Sequence, residues 1–398
     1  MKQPFKVPAD EISRRIKSIQ NALQAKETDG ILIVQRVDLF YFSGTAQNGY
    51  LYIPAEGEPL LLIRKYMPRA QEESSVRRII EIRSVKEIPE RILDTYGTLP
   101  RTLGFEFDVM PVREFNFFRQ LFPVADCADA SSMIHKVRMI KSDWEIRQME
   151  KTAELSAETF EYIRNHIQPG YTEMELSGIF EAFARKRGHG AQLRVRDYQT
   201  EGYPWHVLSG KSGGMVGVLD SPASGEGTSA AFPCGAGSKK IESDEAIMID
   251  IGLVLNGYHA DETRMFAICK MPEKAMRASE AVIEIHNAVL DKAKPGVSVD
   301  ELVRLAVSKA ESLGYAEQFL GPPGYKVSFI GHGIGVELIE PPIIAAGKKD
   351  CLEPGMTFAL EPKMVFENEF SAGVESVFQV TETGSRLISK VPVEIFIC

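Results

Sequence analysis

The sequence predicts an α+β protein with an N-terminal α/β domain and a larger C-terminal domain built from a duplicated αβ unit. Its 398 residues exceed what one hydrophobic core usually supports, which favours two domains. Helical and extended patterns alternate through residues 10–125, as they do in α/β domains. Farther along, HIQPGYTEMEL (166–176) matches KAKPGVSVDEL (292–302), which indicates an internal repeat.

The N-terminal domain is expected to comprise residues 1–135. Its first segment, EISRRIKSIQNALQ, is amphipathic and predicts a helix. The segments that predict strands are GILIVQ, YLYIPAEGEPLLLI with a turn at Glu56-Gly57, RRIIEIR and TLGFEF. Together these segments indicate a mixed sheet, and residues 126–142 are expected to connect it to the second domain.

The C-terminal domain is expected to comprise residues 136–398. Ser142 and Glu145 predict a capping box that begins a long helix. Both copies of the repeat follow a long helical pattern and begin another helix through an S/T-x-x-E cap, although shared capping rules alone would produce part of this match. Because each copy precedes glycine-punctuated extended segments, two facing units would bring their acidic residues to one shared floor.

Composition and charge exclude several function classes. The apolar fraction of 44% and the charged fraction of 25% are ordinary for a soluble globular protein. A formal net charge of −9 without a Lys/Arg cluster predicts no nucleic-acid partner. The stretch AIMIDIGLVL (246–255) is too short to span a membrane. The charged start lacks a secretory signal and the five cysteines form no C-x-x-C pair, so we expect a cytoplasmic protein with reduced thiols.

Acidic residues and one histidine predict a metal site. Asp250 and Asp261 flank an Asn256-Gly257 hairpin signal, which could direct both carboxylates to one point. Downstream segments add three more candidates, His332 in GHGIG, Glu361 in EPGMTFALEP and Glu375 in SAGVESVFQVTETG. Four crowded carboxylates repel one another unless cations neutralise them. One imidazole with oxygen ligands suits Mn²⁺, Co²⁺, Fe²⁺ or Zn²⁺.

These motifs resemble those of the pita-bread metallopeptidase family, which includes prolidase, aminopeptidase P, methionine aminopeptidase and creatinase. The segments LFYFSGT (39–45) and MIKSDWEIRQMEKTA (139–153) resemble the creatinase/prolidase N-terminal domain and its junction. The resemblance implies a pita-bread catalytic domain that binds two divalent ions, with Mn²⁺ or Co²⁺ expected first. It implies that Asp250 binds one ion, that His332 and Glu361 bind the other, and that Asp261 and Glu375 bridge both.

The sequence departs from the family pattern at residues other than the ligands. Family peptidases commonly carry a histidine seven positions after the metal-binding one, where this chain has Ile339. Two further histidine positions correspond to Ser328 and to the histidine-free segment 208–237, and an arginine position corresponds to Gly373. Because isoleucine neither donates nor accepts a proton, we expect His206, or else His259, to replace the missing proton carriers.

These observations predict a dinuclear metallohydrolase that cleaves an amide bond of short Xaa-Pro peptides, with altered specificity. Glu361 is the expected proton acceptor for an activated water. The residues expected to shape the substrate pocket are Tyr203, Trp205, Tyr258 and Ile339. The family likeness implies a homodimer. The alternatives are a hydrolase of non-peptide amides or a lyase on the same fold, and a non-catalytic binding protein.

Overall fold

A computed structural model describes residues 5–196, 205–219 and 221–398. The chain divides into two compact units. The first ends at Arg138 and also includes Arg196, and the second comprises the other described residues from Met139 onward. The boundary expected between residues 135 and 136 lies in the helix Ser131–Met139, close to this division.

The first unit is a mixed sheet with helices. Its helices are α1 (Ala9–Ala25), α2 (Arg36–Ser43), α3 (Met67–Glu73), α4 (Ile88–Tyr96), α5 (Val112–Leu121) and α6 (Ser131–Met139). Its strands are β1 (Gly30–Ile33), β2 (Gly49–Pro54), β3 (Leu60–Ile63), β4 (Arg78–Glu81), β5 (Thr102–Phe105) and β6 (Asp126–Asp129). The strand order is β4-β3-β2-β1-β5-β6, and β2 pairs antiparallel with both its neighbours. The predicted mixed sheet is confirmed, but the expected connector contains an edge strand and a helix.

The second unit holds the larger core. Its helices are α7 (Asp143–His166), α8 (Glu173–Lys186), α9 (Glu273–Lys292) and α10 (Val299–Ser312). Its strands are β7 (His206–Ser209), β8 (Ile247–Leu255), β9 (Tyr258–Ala267), β10 (Phe329–Gly333), β11 (Glu340–Ala345), β12 (Thr357–Leu360), β13 (Lys363–Phe366), β14 (Phe370–Gly373), β15 (Ser376–Val380), β16 (Ser385–Leu387) and β17 (Phe396–Ile397). The sheets are β17-β9-β8-β7, β11-β10-β12-β15-β16 and the pair β13-β14.

The repeat seen in the sequence is also a structural repeat. The Thr172 hydroxyl accepts a hydrogen bond from the Glu175 amide at the start of α8, and Ser298 and Glu301 do the same at the start of α10. Each preceding Pro-Gly turn uses a glycine with positive φ, +95° in one copy and +84° in the other. Both glycine amides donate to a carbonyl of a later segment, at 2.9 Å in each case. The two helix pairs are therefore anchored in the same way.

The β8–β9 hairpin positions the first two acidic residues. Asn256 and Gly257 both adopt positive φ, as a two-residue type I′ turn requires. In the resulting register Asp250 pairs with Thr263, and Gly252 pairs with Asp261. The two aspartates are therefore diagonal neighbours on one face of the hairpin.

A buried histidine makes folding stability depend on pH. His286 lies on α9 and is fully buried. Burial lowers its pKa from 6.5 to about 4, although a hydrogen bond between its Nδ1 and Asn287 Oδ1 acts in the opposite direction. Between these pH values the unfolded chain binds a proton that the folded protein excludes. The stabilisation is thus complete above pH 6.5 and is lost as the pH falls towards 4.

We expect His286→Leu to flatten this pH dependence. The histidine contributes on the order of 3 kcal/mol to the loss of unfolding free energy over that pH range. Urea unfolding of wild type and variant at pH 7, 5.5 and 4.5 measures the difference. His166→Leu is the control, because His166 is exposed at the end of α7. Equal pH slopes for wild type and His286→Leu would contradict the expectation.

Candidate metal centre

Five predicted ligand residues converge in the second unit from four separate segments. Asp250 and Asp261 come from the β8–β9 hairpin, and His332 lies in β10. Glu361 directly follows β12. Glu375 is aligned with the hairpin by an antiparallel bridge to Thr263, whose hydroxyl donates to Glu375 Oε2 at 2.9 Å. All five side chains line one cavity.

Glycines flank His332 because the adjacent strands leave no room for side chains. A Cβ atom at Gly331 would lie 2.3 Å from the Ala359 carbonyl oxygen, and one at Gly333 would lie 2.6 Å from the Glu340 carbonyl oxygen. The His332 Nδ1 faces the Gly333 carbonyl at 3.0 Å. With its proton on Nδ1, His332 turns the Nε2 lone pair towards the carboxylates, as a metal ligand requires.

Asp261, His332 and Glu375 fit a divalent ion. One ligand atom from each of these buried residues lies within 4.8 Å of the other two. The His332 Nε2 is 3.8 Å from Asp261 Oδ2, 3.6 Å from Glu361 Oε1 and 3.9 Å from Glu375 Oε1. One nitrogen with several carboxylate oxygens is the donor set of Mn²⁺, Co²⁺, Fe²⁺ or Zn²⁺.

The sequence analysis missed Lys363, which lies among the same carboxylates. Its Nζ donates to Glu361 Oε2 at 2.8 Å, to Asp250 Oδ2 at 2.9 Å and to Glu375 Oε2 at 3.3 Å. Its side chain is 2% exposed. Its position in the sequence could have identified it. Lys363 is two residues after Glu361, and residues two apart in an extended segment share a face.

The charges of the centre shift the pKa values of its members in opposite directions. Burial, followed by repulsion from Glu375, holds the pKa of Asp261 well above its ordinary value. Burial also raises the pKa of Glu375 to about 8, although Lys363 opposes the shift. Burial alone would raise the pKa of Asp250, but the Lys363 ammonium and His206 outweigh it and lower that pKa. Without a bound cation the centre therefore carries unfavourable negative charge.

His206 presents a free ring nitrogen at the same centre. Strand β7 pairs His206 with Asp250, and the His206 Nδ1 lies 3.5 Å from Asp250 Oδ2. The residue is 5% exposed, and its Nε2 has no hydrogen-bond partner in the described part of the chain. His206 also lines the cavity. The predicted substitute for the missing histidines is thus placed beside the ligands, with one buried ring nitrogen that lacks a partner among the described residues.

His259 does not share this position. Its Nδ1 lies 3.0 Å from the Gly335 carbonyl and its Nε2 accepts the Arg194 amide at 3.1 Å. Both ring nitrogens are engaged by backbone groups, and burial lowers the pKa of His259 to about 4. The structure therefore gives His259 a packing role and contradicts its prediction as a proton carrier. Its position two residues from Asp261 correctly indicated that the two residues share a strand face, but not which groups bond to the His259 ring nitrogens.

The predicted substrate-binding residues do not all line the cavity in the structure. Ile339 lines the cavity. Tyr258 is buried, donates to Glu145 Oε1 at 3.2 Å and contacts Trp144 edge-on, so it is a packing residue and not the predicted pocket residue. Trp205 stacks on Phe180 and donates to the Gly252 carbonyl, so its prediction as a pocket residue is contradicted by the same kind of packing. Tyr203 lies outside the described residues.

The cavity is lined by the acidic residues of the metal centre, which we call its floor, and by apolar residues, which we call its wall. Its volume is about 200 Å³. The apolar residues in its lining are Leu193, Leu219, Phe329, Leu338, Ile339 and Ile343. Ile339 thus extends an apolar surface at the position where the family pattern places a histidine.

Two family profiles match this chain. The profile described as "Metallopeptidase family M24" matches residues 147–382, and the profile described as "Creatinase/Prolidase N-terminal domain" matches residues 15–140. The chain belongs to metallopeptidase family M24. This confirms the family and the fold class that the motifs predicted.

Relatives in family M24 match over nearly full length. A Xaa-Pro dipeptidase of Pyrococcus furiosus is 25% identical over 390 residues, which cover 96% of this chain and 100% of that protein. The structure of a Xaa-Pro dipeptidase from Bacillus anthracis aligns with a TM-score of 0.83 at 25% identity, covering 97% of this chain and 100% of the other. An X-Pro aminopeptidase from Thermotoga maritima aligns with a TM-score of 0.80 at 22% identity, covering 96% and 99%.

Proposed function

We propose that this M24 protein is a divalent-metal-dependent hydrolase of short Xaa-Pro peptides, acting as a dipeptidase or an aminopeptidase. The observation that carries the proposal is the convergence of Asp261, His332 and Glu375 on the floor of a cavity with an apolar wall. Relatives named Xaa-Pro dipeptidase and X-Pro aminopeptidase match nearly the whole chain. The small cavity favours a short substrate over a folded protein.

The cavity supports a division of substrate contacts. Its apolar wall suits a proline ring or an aliphatic side chain, whereas its polar floor suits the scissile amide. Ile339 brings this wall beside the ligands, where a histidine would otherwise contact the substrate. We therefore expect this protein to prefer substrates with apolar residues more strongly than an enzyme that has a histidine at this position.

The chain's residues take separate roles in this proposal. A bound divalent ion, which we propose to be Mn²⁺ or Co²⁺ with Zn²⁺ or Fe²⁺ as the other candidates, would polarise the amide carbonyl and activate water. Glu361 is the proposed acceptor of the water proton, with Oε1 directed towards His332. His206 Nε2 is the proposed donor to the leaving nitrogen because His206 lines the cavity and this nitrogen has no hydrogen-bond partner among the described residues.

The other readings of the sequence are less favoured. The relatives are named as peptidases, which does not favour a non-peptide amidohydrolase or a lyase. All five predicted ligands line one cavity, which does not favour a protein that only binds. We retain a homodimer and a cytoplasmic location as proposals, tested by sedimentation and by fractionation. Among the described residues, no helix is both long and apolar enough to cross a bilayer.

Peptide assays test the proposed function. The protein is stripped with a chelator, reloaded with Mn²⁺ or Co²⁺, and assayed with Leu-Pro, Ala-Pro and Leu-Pro-Ala beside Leu-Ala. We expect cleavage of the Xaa-Pro bonds that is lost on chelation and returns with metal. Bound metal without cleavage of any of these peptides would contradict the proposal.

Replacing His206 by glutamine should separate proton transfer from metal binding. We expect kcat to fall by about 10²–10³ because the leaving nitrogen loses its donor, while metal content stays unchanged. His166→Gln is the control because His166 is exposed and lies outside the cavity lining. Unchanged turnover in His206→Gln would eliminate it as the donor.

A further inference from the structure

Lys363 changes how many ions the centre can hold. We propose that the Lys363 ammonium occupies one of the two cation positions of the acidic centre, so that the protein binds one divalent ion where its ligand set predicts two. The inference rests on the proposed function only in requiring that Asp261, His332 and Glu375 bind metal. The inference concerns the number of bound ions, and the proposed peptidase activity does not depend on it.

The Lys363 ammonium contacts the carboxylates of the centre as a bound metal cation would. An ammonium carries three protons, and Lys363 directs its Nζ at three carboxylates from separate segments, at 2.8 to 3.3 Å. The side chain is 2% exposed, so solvent does not replace these contacts. Lys363 is thereby fully satisfied within the centre.

The two glutamates divide their oxygens between two positions. Glu361 and Glu375 each present Oε2 to the Lys363 ammonium. Each presents Oε1 to the His332 Nε2, at 3.6 and 3.9 Å. This is the arrangement of bridging carboxylates with the ammonium on one side and the imidazole on the other. Asp250 contacts Lys363 and His206 on the ammonium side, whereas Asp261 faces His332.

The adjoining strand makes room for the lysine. Strands β13 and β14 pair Lys363 directly with Gly373. A Cβ atom at Gly373 would lie 2.8 Å from the Lys363 Cγ and 3.0 Å from the Met248 sulfur. The bare glycine therefore permits the lysine side chain to run beneath it into the centre. The absence of an arginine at position 373 and the presence of Lys363 are spatially linked.

Charge balance favours one divalent ion beside the lysine. Four carboxylates and a single ammonium line the cavity, and one divalent ion neutralises most of the remaining negative charge. A second ion would have to displace the ammonium from its three acceptors. Leaving a buried charge without its partner is strongly unfavourable.

Manganese binding tests the inference without depending on activity. The stripped protein is saturated with Mn²⁺, freed of excess ion, and examined by elemental analysis and electron paramagnetic resonance. We expect one Mn²⁺ per chain with an uncoupled six-line spectrum. Lys363→Met should bind two ions with a spin-coupled spectrum, and Lys363→Arg should keep one. Lys141→Met is the matched control, because Lys141 is an equally buried lysine paired with Glu340 outside the ligand set.

Each outcome decides the inference. Two spin-coupled ions in the wild type would overturn it while leaving the peptidase proposal intact, and no bound ion would overturn both. A Lys363→Met variant that folds and still binds one ion would also overturn it. If that variant does not fold, the wild-type stoichiometry at saturation, together with Lys363→Arg, supports or overturns the inference alone.

Discussion

Asp261→Ala is expected to abolish metal binding and peptidase activity together. Asp261 is one of the three residues whose ligand atoms meet within 4.8 Å, and it lies on the hairpin face beside Asp250. Changes to groups that merely orient a metal ligand cost about 10- to 100-fold in affinity, so losing the ligand should cost more. Metal content and kcat/KM, measured on protein dialysed against 10 μM Mn²⁺, give the two readouts.

Without metal, the Asp261→Ala variant should be more stable than the metal-free wild type, although it loses metal binding and activity. Because burial and neighbouring carboxylates hold the pKa of Asp261 well above its ordinary value, its charge at neutral pH destabilises the fold. Removing that charge should raise the melting temperature of the stripped protein. It should also remove the further rise that metal gives to the wild type. A general folding defect would instead lower stability under both conditions.

Asp291→Ala is the control for Asp261→Ala, because Asp291 is exposed near the end of α9. It should leave metal content, activity and both melting temperatures within error of the wild type. An active, metal-loaded Asp261→Ala would contradict the assignment of this residue as a ligand. It would leave His332, Glu361 and Glu375 to hold the ion without the hairpin.

Local sequence signals predicted the parts of the fold that are set by local chemistry. Asn256-Gly257 adopts the positive φ values that its hairpin requires, and the capping residues Thr172 and Ser298 begin helices as expected. Strand β6 was missed because its four residues, DCAD, carry little apolar pattern and pair with β5 alone. Its formation depends on a neighbouring strand and not on its own sequence.

The sequence was sufficient to predict which residues come together at the candidate site, but not the contacts that they make there. Motif order was sufficient to select Asp261, His332 and Glu375, which the fold brings together. The role of Lys363 depends on where β13 and β14 place its ammonium, and no motif encodes that. His259 fails for the same reason, since the backbone groups of Gly335 and Arg194 that occupy its nitrogens come from distant segments.

Arg264→Met is expected to cause the largest loss of stability, and to loosen the metal centre as a consequence. Arg264 is fully buried on β9. Its guanidinium donates to four backbone carbonyl oxygens, those of Thr263, Glu375, Val391 and Pro392, at 2.5 to 2.8 Å. Methionine fills much of the volume but removes the guanidinium donors of the Val391 and Pro392 carbonyls, at about 1–3 kcal/mol for each acceptor left unsatisfied. The Thr263 and Glu375 carbonyls still accept each other's amides.

We therefore expect the free energy of unfolding to fall by about 2–6 kcal/mol, measured by urea denaturation. Metal affinity should fall as well, because Arg264 fixes the backbone carbonyl of Glu375. Arg304→Met is the control. Arg304 is largely exposed and forms an ion pair with Asp300 one helical turn away, so its loss should cost less than about 1 kcal/mol. Equal stability losses in the two variants would show that the four carbonyl contacts contribute little.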